Sequence, residues 1–275
     1  MAMIFDGRKL AQEKEGKLVL AVAEFKKTHG FVPKLVSILI GDNPASIRYL
    51  VIKKAIGERA GIEVVVKKFS VNVSSQLVQR FIKQANLDSR VTGIMIQMPL
   101  PGKLRVLSAI APSKDVDCLT TENLELLKTG KPRFLPATTK AVASVFESAK
   151  IGLAGKKIVI VGSKGFVGEP LFDYLKGQGF SVTGIDKETK TLGEVTRQAD
   201  ILISATGVPN LIKKEMIKKG AVVIDVGYPQ PDVDFAAVAE VASFITPVPG
   251  GVGPLTVISL LENVLLSANQ RCVAN

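Results

Sequence analysis

An α/β fold built from two parallel-sheet domains is predicted, and three observations predict it. Short apolar runs at residues 35–40, 63–69 and 93–98 alternate with segments of helical periodicity. A second series follows at residues 158–161, 181–185, 201–205 and 222–226, each run leading into Gly, Asp or Pro, the pattern of a doubly wound, Rossmann-like sheet. A polar stretch at residues 129–136 separates the two series. The expected division is a first domain of residues 1–138 plus 254–275 and a second of residues 139–253, with a ligand cleft between them.

In chain order, Leu18, Val22 and Phe25 recur at helical spacing, and Gly30 stops that helix. The run at 35–40 ends in the turn Gly41-Asp42-Asn43-Pro44, and a helix then continues to Ala60 before Gly61. The β-branched run at 63–69 reads as a strand. Val73-Ser74-Ser75-Gln76 reads as a cap for a helix at 77–85. Pro99 and Pro101 stop the strand at 93–98. After the polar stretch come a helix at 138–148, the second series of strands with helices between them, and a final apolar helix at 257–268.

Composition narrows the function. Of 275 residues, 47% are hydrophobic, enough for a full core. No apolar run reads as a membrane span. Asp6, Arg8 and Lys9 stand where a signal peptide needs an apolar stretch, so a cytoplasmic chain is expected. Cys118 and Cys272 form no metal-ligand or disulfide spacing, and no metal is expected. The net charge of +11 is dispersed in short pairs such as Lys53-Lys54 and Lys218-Lys219. Without a basic tail, tryptophan or interleaved aromatics, nucleic acid is not the expected partner; an anionic small ligand is. The single histidine, His29, sits at a helix end, a place the helix dipole favours for a cation. Any acid–base work then falls to lysine, tyrosine or a carboxylate.

The strand at 158–161 runs into Gly162-Ser163-Lys164-Gly165-Phe166-Val167-Gly168 and then a helix. Glycines at 162, 165 and 168 let the backbone turn and approach a pyrophosphate at the helix N-terminus. The spacing departs from the common dinucleotide fingerprint, so an ordinary strand–helix turn is the competing reading. Asp186 and Lys187 end the next strand. A carboxylate there accepts from ribose hydroxyls and favours NAD, whereas Lys164 and Lys187 favour the extra phosphate of NADP; a solvated turn aspartate is the alternative. Earlier in the chain, Ser46, Tyr49 and Lys53 fall at i, i+3 and i+7, on one helix face near a strand end. Gln97 ends a buried strand, and Lys114-Asp115-Val116-Asp117 lies in a loop. Taken singly, each also reads as an ordinary surface or turn group.

Together these segments resemble the methylenetetrahydrofolate dehydrogenase/cyclohydrolase family. Residues 45–53 (ASIRYLVIK) are similar to its tyrosine–lysine helix, 93–101 (GIMIQMPLP) to its glutamine strand and 112–117 (PSKDVD) to its folate aspartate loop. Residues 246–256 (TPVPGGVGPLT) are similar to its most distinctive string, and 199–207 and 223–227 also match. The resemblance implies oxidation of 5,10-methylenetetrahydrofolate with a nicotinamide cofactor, then hydrolysis of the methenyl product to 10-formyltetrahydrofolate. It makes Lys53 the proton-transfer residue, oriented by Gln97, and places Tyr49 against the aromatic part of the substrate with Ser46 beside it. Asp117 binds the pterin, and the loop with Pro249, Gly250, Gly251 and Pro254 closes over folate in the cleft. Gly162, Ser163, Lys164, Gly165, Val167, Gly168, Asp186, Lys187, Thr206, Gly207, Gly227 and Tyr228 become the cofactor residues, and a homodimer is expected.

Departures from the family pattern concern both ligands. Ser163 stands where an arginine usually serves the NADP phosphate, and Ile185-Asp186-Lys187 replaces cysteine-histidine-serine; both favour NAD or dual use over the family habit of NADP. Ala137 and Thr139 replace a cysteine and a proline, and Cys118 replaces a glycine after Asp117. Three rival readings are a dehydrogenase-only folate enzyme, another nicotinamide dehydrogenase acting on shikimate or an amino acid, and a non-catalytic folate- or dinucleotide-binding protein. Only the folate enzymes account for Tyr49, Lys53, Gln97 and Asp117 together.

Overall fold

The computed structural model describes residues 1–102 and 104–274. Its elements, in order, are β1 (Met3–Ile4), α1 (Gly7–His29), β2 (Lys34–Ile40), α2 (Pro44–Arg59), β3 (Glu63–Phe69), α3 (Ser75–Leu87), β4 (Gly93–Ile96), α4 (Thr121–Lys128) and α5 (Ala137–Ser148). They continue with β5 (Ile158–Val161), α6 (Gly168–Gly177), β6 (Val182–Ile185), α7 (Leu192–Thr196), β7 (Ile201–Ser204), β8 (Val222–Asp225), α8 (Phe235–Ala239), β9 (Phe244–Ile245) and α9 (Val252–Ala274). The chain divides into two compact units. One comprises residues 12–125, 133–137 and 257–275, the other residues 1–11, 126–132 and 138–256.

The first unit holds a parallel sheet of order β3-β2-β4. Successive residues of β2 serve opposite faces. Leu35 packs with Leu18, Val22, Met95, Leu260, Leu261 and Val264, while Val36, Ile38 and Ile40 pack with Val78, Ile82, Ile94 and Ile96. Burial on both faces explains why β2 reads as an unbroken apolar run. The helix α2 starts where expected. Asn43 caps it by accepting from the N–H groups of Ala45 and Ser46 at 3.0 and 3.1 Å, and Pro44 occupies the first turn, where no N–H is needed. Strand β4 is two residues shorter than predicted, and the Gln97 N–H still bonds to the Ile38 carbonyl at 2.8 Å.

The second unit holds six strands in the order β1-β9-β8-β7-β5-β6, every pairing parallel. From β5 onward the order is second-first-third-fourth-fifth, the flavodoxin-like variant of the doubly wound sheet, whose switch point lies between the first and third strands. Those strands are β5 and β7. Its core includes Val159, Val161, Leu202, Val223 and Ile245.

The division expected from sequence puts residues 1–11 with the first domain. The structure groups them with the second unit because β1 adds to the sheet edge, Met3 opposite Phe244 and Ile4 opposite Ile245. Two-residue strands carry no periodicity, so β1 and β9 have no signal in the sequence. The final helix is longer than predicted, and by length and composition it could cross a membrane. Its Leu255, Ile258, Leu260, Leu261, Val264 and Ala268 are instead buried in the protein, as expected of a core helix.

Candidate active site

In the first unit, α2 carries Ser46, Tyr49 and Lys53. Ser46 is buried and the other two half-buried. The Lys53 ammonium donates to Gln97 Oε1 at 2.9 Å and lies 3.7 Å from Met95 Sδ. Gln97 is held in turn by its own amide, which donates to the Met98 carbonyl at 3.1 Å. Burial lowers the Lys53 pKa below the usual lysine range, and the negative charge of Asp117 opposes that shift. The reciprocal holds for Asp117: burial raises its pKa, the charge of Lys53 pulls it down, Asp115 pushes it up, and the Ala137 N–H stabilises the carboxylate. Ala137 opens α5, so the carboxylate sits at a helix N-terminus, where the dipole favours an anion. The structure therefore brings Lys53, Gln97 and Asp117 into one electrostatic group, from three elements distant in sequence.

The loop bearing Asp117 is fixed by side chains whose roles the sequence did not reveal. Asp115, fully buried, accepts from the N–H groups of Leu119 and Thr120, the Thr120 hydroxyl and the Asn123 amide at 2.7–3.0 Å. Lys114 turns away from solvent and donates to the carbonyls of Ala85, Asn86 and Asp88 at 2.6–3.1 Å, closing the C-terminus of α3. Asn263 of α9 donates to the Val116 carbonyl at 2.9 Å. Cys118 adopts φ 58°, a left-handed backbone that glycine takes without steric cost. This gives a physical reason for the glycine found there in the family the sequence resembles.

In the second unit, Gly162 has φ 85°, and a Cβ on it would lie 2.5 Å from the Ala205 carbonyl oxygen at the end of β7. A Cβ on Gly168 would collide with the Gly162 carbonyl. Gly165 is exposed, and its N–H bonds to the Gly162 carbonyl at 3.0 Å. The turn is thus glycine-dependent and lies at the β5–β7 switch point. Val167, the cap of α6, makes no side-chain capping bond among the described residues. The Glu169 N–H in the first turn of α6 bonds to the Gly165 carbonyl at 2.9 Å, which leaves its neighbours in that turn to meet an anion, and this fits a dinucleotide pyrophosphate. Ser163 abuts Gly184 of β6. The Lys164 backbone N–H and ammonium both reach Asp186, at 3.4 and 3.0 Å. Lys187 pairs with Glu188 at 3.8 Å rather than with Asp186.

Thr206 and Gly207 follow β7, and Gly227 and Tyr228 follow β8. Beneath them lie two carboxylates that sequence reasoning did not single out, Asp225 and Asp232, 2% and 0% exposed. The loop with Pro249, Gly250 and Gly251 belongs to this second unit, as does Pro254. The Gly251 N–H bonds to the Pro247 carbonyl at 2.8 Å; Gly7 packs so closely on the Gly251 carbonyl that it could carry no side chain, and a Cβ on Gly251 would lie 2.5 Å from the Pro247 carbonyl oxygen. Pro254 lies in the first turn of α9. No group of three or more His, Cys, Asp or Glu side chains is arranged for a metal among the described residues.

Comparison with known proteins agrees with both units. Residues 5–117 match the family described as tetrahydrofolate dehydrogenase/cyclohydrolase, catalytic domain, and residues 136–272 match its NAD(P)-binding domain. The bifunctional protein FolD of Lactobacillus delbrueckii subsp. bulgaricus is 44% identical over 274 residues, 96% of each chain. The bifunctional FolD dehydrogenase/cyclohydrolase of Campylobacter jejuni superposes with a TM-score of 0.94 at 37% identity, over 98% of this chain and 100% of that one. The Trypanosoma brucei enzyme, solved with NADP and an inhibitor, gives a TM-score of 0.94 at 31% identity over 98% of each chain. The two family matches reach across both units, which sets aside a different nicotinamide dehydrogenase on a similar scaffold. The chain belongs to the tetrahydrofolate dehydrogenase/cyclohydrolase family.

Proposed function

We propose that this chain oxidises 5,10-methylenetetrahydrofolate with a nicotinamide dinucleotide and hydrolyses the resulting methenyl compound to 10-formyltetrahydrofolate. The observation that carries the reading is the half-buried Lys53 ammonium, held by Gln97 at 2.9 Å and lowered in pKa by burial. A lysine so placed sheds its proton more readily than an exposed one and can then take one from water. In the hydrolysis, water adds to the methenyl carbon and Lys53 accepts the proton. Lys53 then gives that proton to N5 as the bond from the carbon to N5 breaks, and the remaining hydroxyl proton is released to solvent as the carbonyl forms, leaving the formyl group on N10. Gln97 orients the ammonium, Tyr49 packs against the substrate with Ser46 alongside, and Asp117 accepts from pterin N–H groups. Pro249, Gly250, Gly251 and Pro254 are read as folate-binding residues by the family pattern. The Lys53 reading uses one residue as base and then acid, so a second titratable side chain is not required.

The residues present fit a dinucleotide. The glycine turn and the first turn of α6 would hold the pyrophosphate, Asp186 and Lys164 would bind the adenosine ribose, and Thr206, Gly207, Gly227 and Tyr228 would complete the cofactor site. When bound, the oxidised nicotinamide supplies the electron-pair acceptor for oxidation of the methylene bridge. Lys164 engages both oxygens of Asp186, which softens the charge a 2′-phosphate would meet and makes ribose hydroxyls compete for the carboxylate. The chain is therefore assigned both NAD and NADP. The first unit is the folate and catalytic domain and the second the dinucleotide domain. Free thiols at Cys118 and Cys272 fit the cytoplasm. The open edge of β3, with Val71 and Leu77 exposed nearby, supports a homodimer.

The test is a pair of assays on the purified chain. Methylenetetrahydrofolate oxidation is followed with NAD and NADP in parallel, and methenyltetrahydrofolate hydrolysis is followed without dinucleotide. Turnover in both assays is expected. Oxidation without hydrolysis would identify a dehydrogenase-only enzyme, and binding without turnover a non-catalytic protein.

A further inference from the structure

The loops after β7 and β8 are joined beneath their surface by Asp232. Its Oδ2 accepts three hydrogen bonds from the end of β7: from the Ser204 hydroxyl at 2.8 Å, the Thr206 N–H at 2.6 Å and the Thr206 hydroxyl at 2.9 Å. Its Oδ1 is buried with no hydrogen-bond partner among the described residues. A carboxylate that only needed to be satisfied would spread its donors over both oxygens. This one concentrates them on a single strand end.

The other half of the connection runs through Asp225. The N–H groups of Gly227 and Asp232 both donate to Asp225 Oδ1, at 2.8 and 3.2 Å, and the Val233 N–H donates to Oδ2 at 3.0 Å. Gly227 packs directly on Asp232; a Cβ there would lie 2.7 Å from Asp232 Oδ1. Backbone bonds join the outer parts of the same loops, from the Asn210 N–H to the Pro231 carbonyl at 2.9 Å and from the Ile212 N–H to the Asp232 carbonyl at 3.0 Å. Thr206 itself is held by the Asp232 side chain.

We propose that Asp232 is a positioning residue for the dinucleotide, setting Thr206-Gly207 after β7 and Gly227-Tyr228 after β8 in register with each other. The proposal rests on the reading of those loops as part of the cofactor site. A carboxylate fits the task because three donors converge on one oxygen, and charged acceptors form the stronger bonds. Asn in its place keeps the shape and one acceptor but loses the charge.

Affinity for NADP and NAD is measured by calorimetry on the full chain, with steady-state kinetics of both activities. Asp232→Asn is expected to weaken dinucleotide binding about tenfold, raising the dinucleotide KM more than it lowers kcat. Methenyltetrahydrofolate hydrolysis transfers no electrons, needs no dinucleotide and should keep its rate, which also reports that the variant is folded. Ser204→Ala removes one of the three donors and is expected to weaken binding about threefold; it decides alone if Asp232→Asn does not fold. Gly165→Val, which crowds the phosphate turn, tests the underlying site. If Gly165→Val abolishes dinucleotide binding while Asp232→Asn and Ser204→Ala leave it unchanged, the positioning role is overturned and the site stands. If Gly165→Val also leaves binding unchanged, the site reading itself fails. A folded Asp232→Asn variant losing both activities equally would reduce Asp232 to a structural residue and overturn the proposal.

Discussion

Lys53 Nζ and Gln97 Oε1 lie 2.9 Å apart, joining the third turn of α2 to the residue just beyond β4. The bond has two consequences that pull in opposite directions. It fixes the amine in space, and, because an acceptor stabilises an ammonium more than an amine, it moderates the fall in pKa that burial imposes.

Lys53→Met should therefore lower methenyltetrahydrofolate hydrolysis by about 10²–10⁴-fold, the usual worth of a positioned acid–base group, while folate still binds. Normal turnover in a folded variant would remove Lys53 from the mechanism. In the unmodified enzyme, hydrolysis should rise with pH as Lys53 loses its proton, with a midpoint below the ordinary lysine value. Gln97→Met removes an acceptor of the charged form and should move that midpoint to lower pH. A shift upward would contradict the assignment of Gln97.

Asp117 faces Lys53 and the Ala137 N–H. A carboxylate accepting from pterin N–H groups contributes about 1.5–3 kcal/mol. Asp117→Ala should then weaken folate binding about tenfold or more and leave dinucleotide affinity unchanged. Calorimetry with each ligand separately checks this, and equal folate affinity in the variant would refute it.

On the proposed reading, Asp186 sets the dinucleotide ratio together with Lys164. A 2′-phosphate near Asp186 meets a like charge, a mismatch on the order of 1 kcal/mol, which the exposed, solvent-screened Lys164 offsets only in part. Asp186→Ser should move the ratio of kcat/KM values towards NADP, and Lys164→Ala should move it towards NAD. The ratio is measured at fixed salt for all three proteins. If neither substitution changes it, this pair does not contact the adenosine ribose.

Asp225 has a pKa raised to about 6, chiefly by burial, with the charge of Asp232 adding to the rise and three backbone N–H groups opposing it. A carboxyl whose folded pKa exceeds its unfolded value favours the folded state most when protonated. Its contribution is thus fullest below the unfolded value, falls as pH climbs from about 4 to about 6 and stays constant above, amounting to about 3 kcal/mol. Urea unfolding of Asp225→Asn should lack this component, so its stability should fall less between pH 4 and pH 7 than that of the unmodified chain. Parallel curves for the two proteins would show that Asp225 titrates normally.

Several elements are legible in the sequence because a local pattern carries them. Asn43-Pro44 announces the start of α2, Gly30 ends α1 at φ 75°, and the glycine turn between β5 and α6 follows from three glycines placed between an apolar run and a helical segment. Helical periodicity is enough to put Ser46, Tyr49 and Lys53 on one face of α2. Other features carry no such signal. Strand β1 is two residues long and exists only because β9 offers an edge. Lys114 and Asp115 read as loop charges, yet both are buried and bind backbone or side-chain groups that only folding brings near.

By itself the sequence determined the α/β class, the two series of parallel strands, the family and the residue types available for proton transfer. These depend on periodicity, turn chemistry and motif order, which are local properties of the chain. Tertiary structure decided the meeting of Lys53 with Gln97, the mutual influence of the Lys53 and Asp117 charges, the Lys164–Asp186 pair and the carboxylate connection from Asp225 through Asp232 to Thr206. Apart from the short step from Asp225 to Asp232 within one loop, each joins residues separated by at least one secondary-structure element. The physical reason is that electrostatic coupling and burial act through distances in space, and a pKa or a hydrogen-bond partner is set only when the core has brought those elements together.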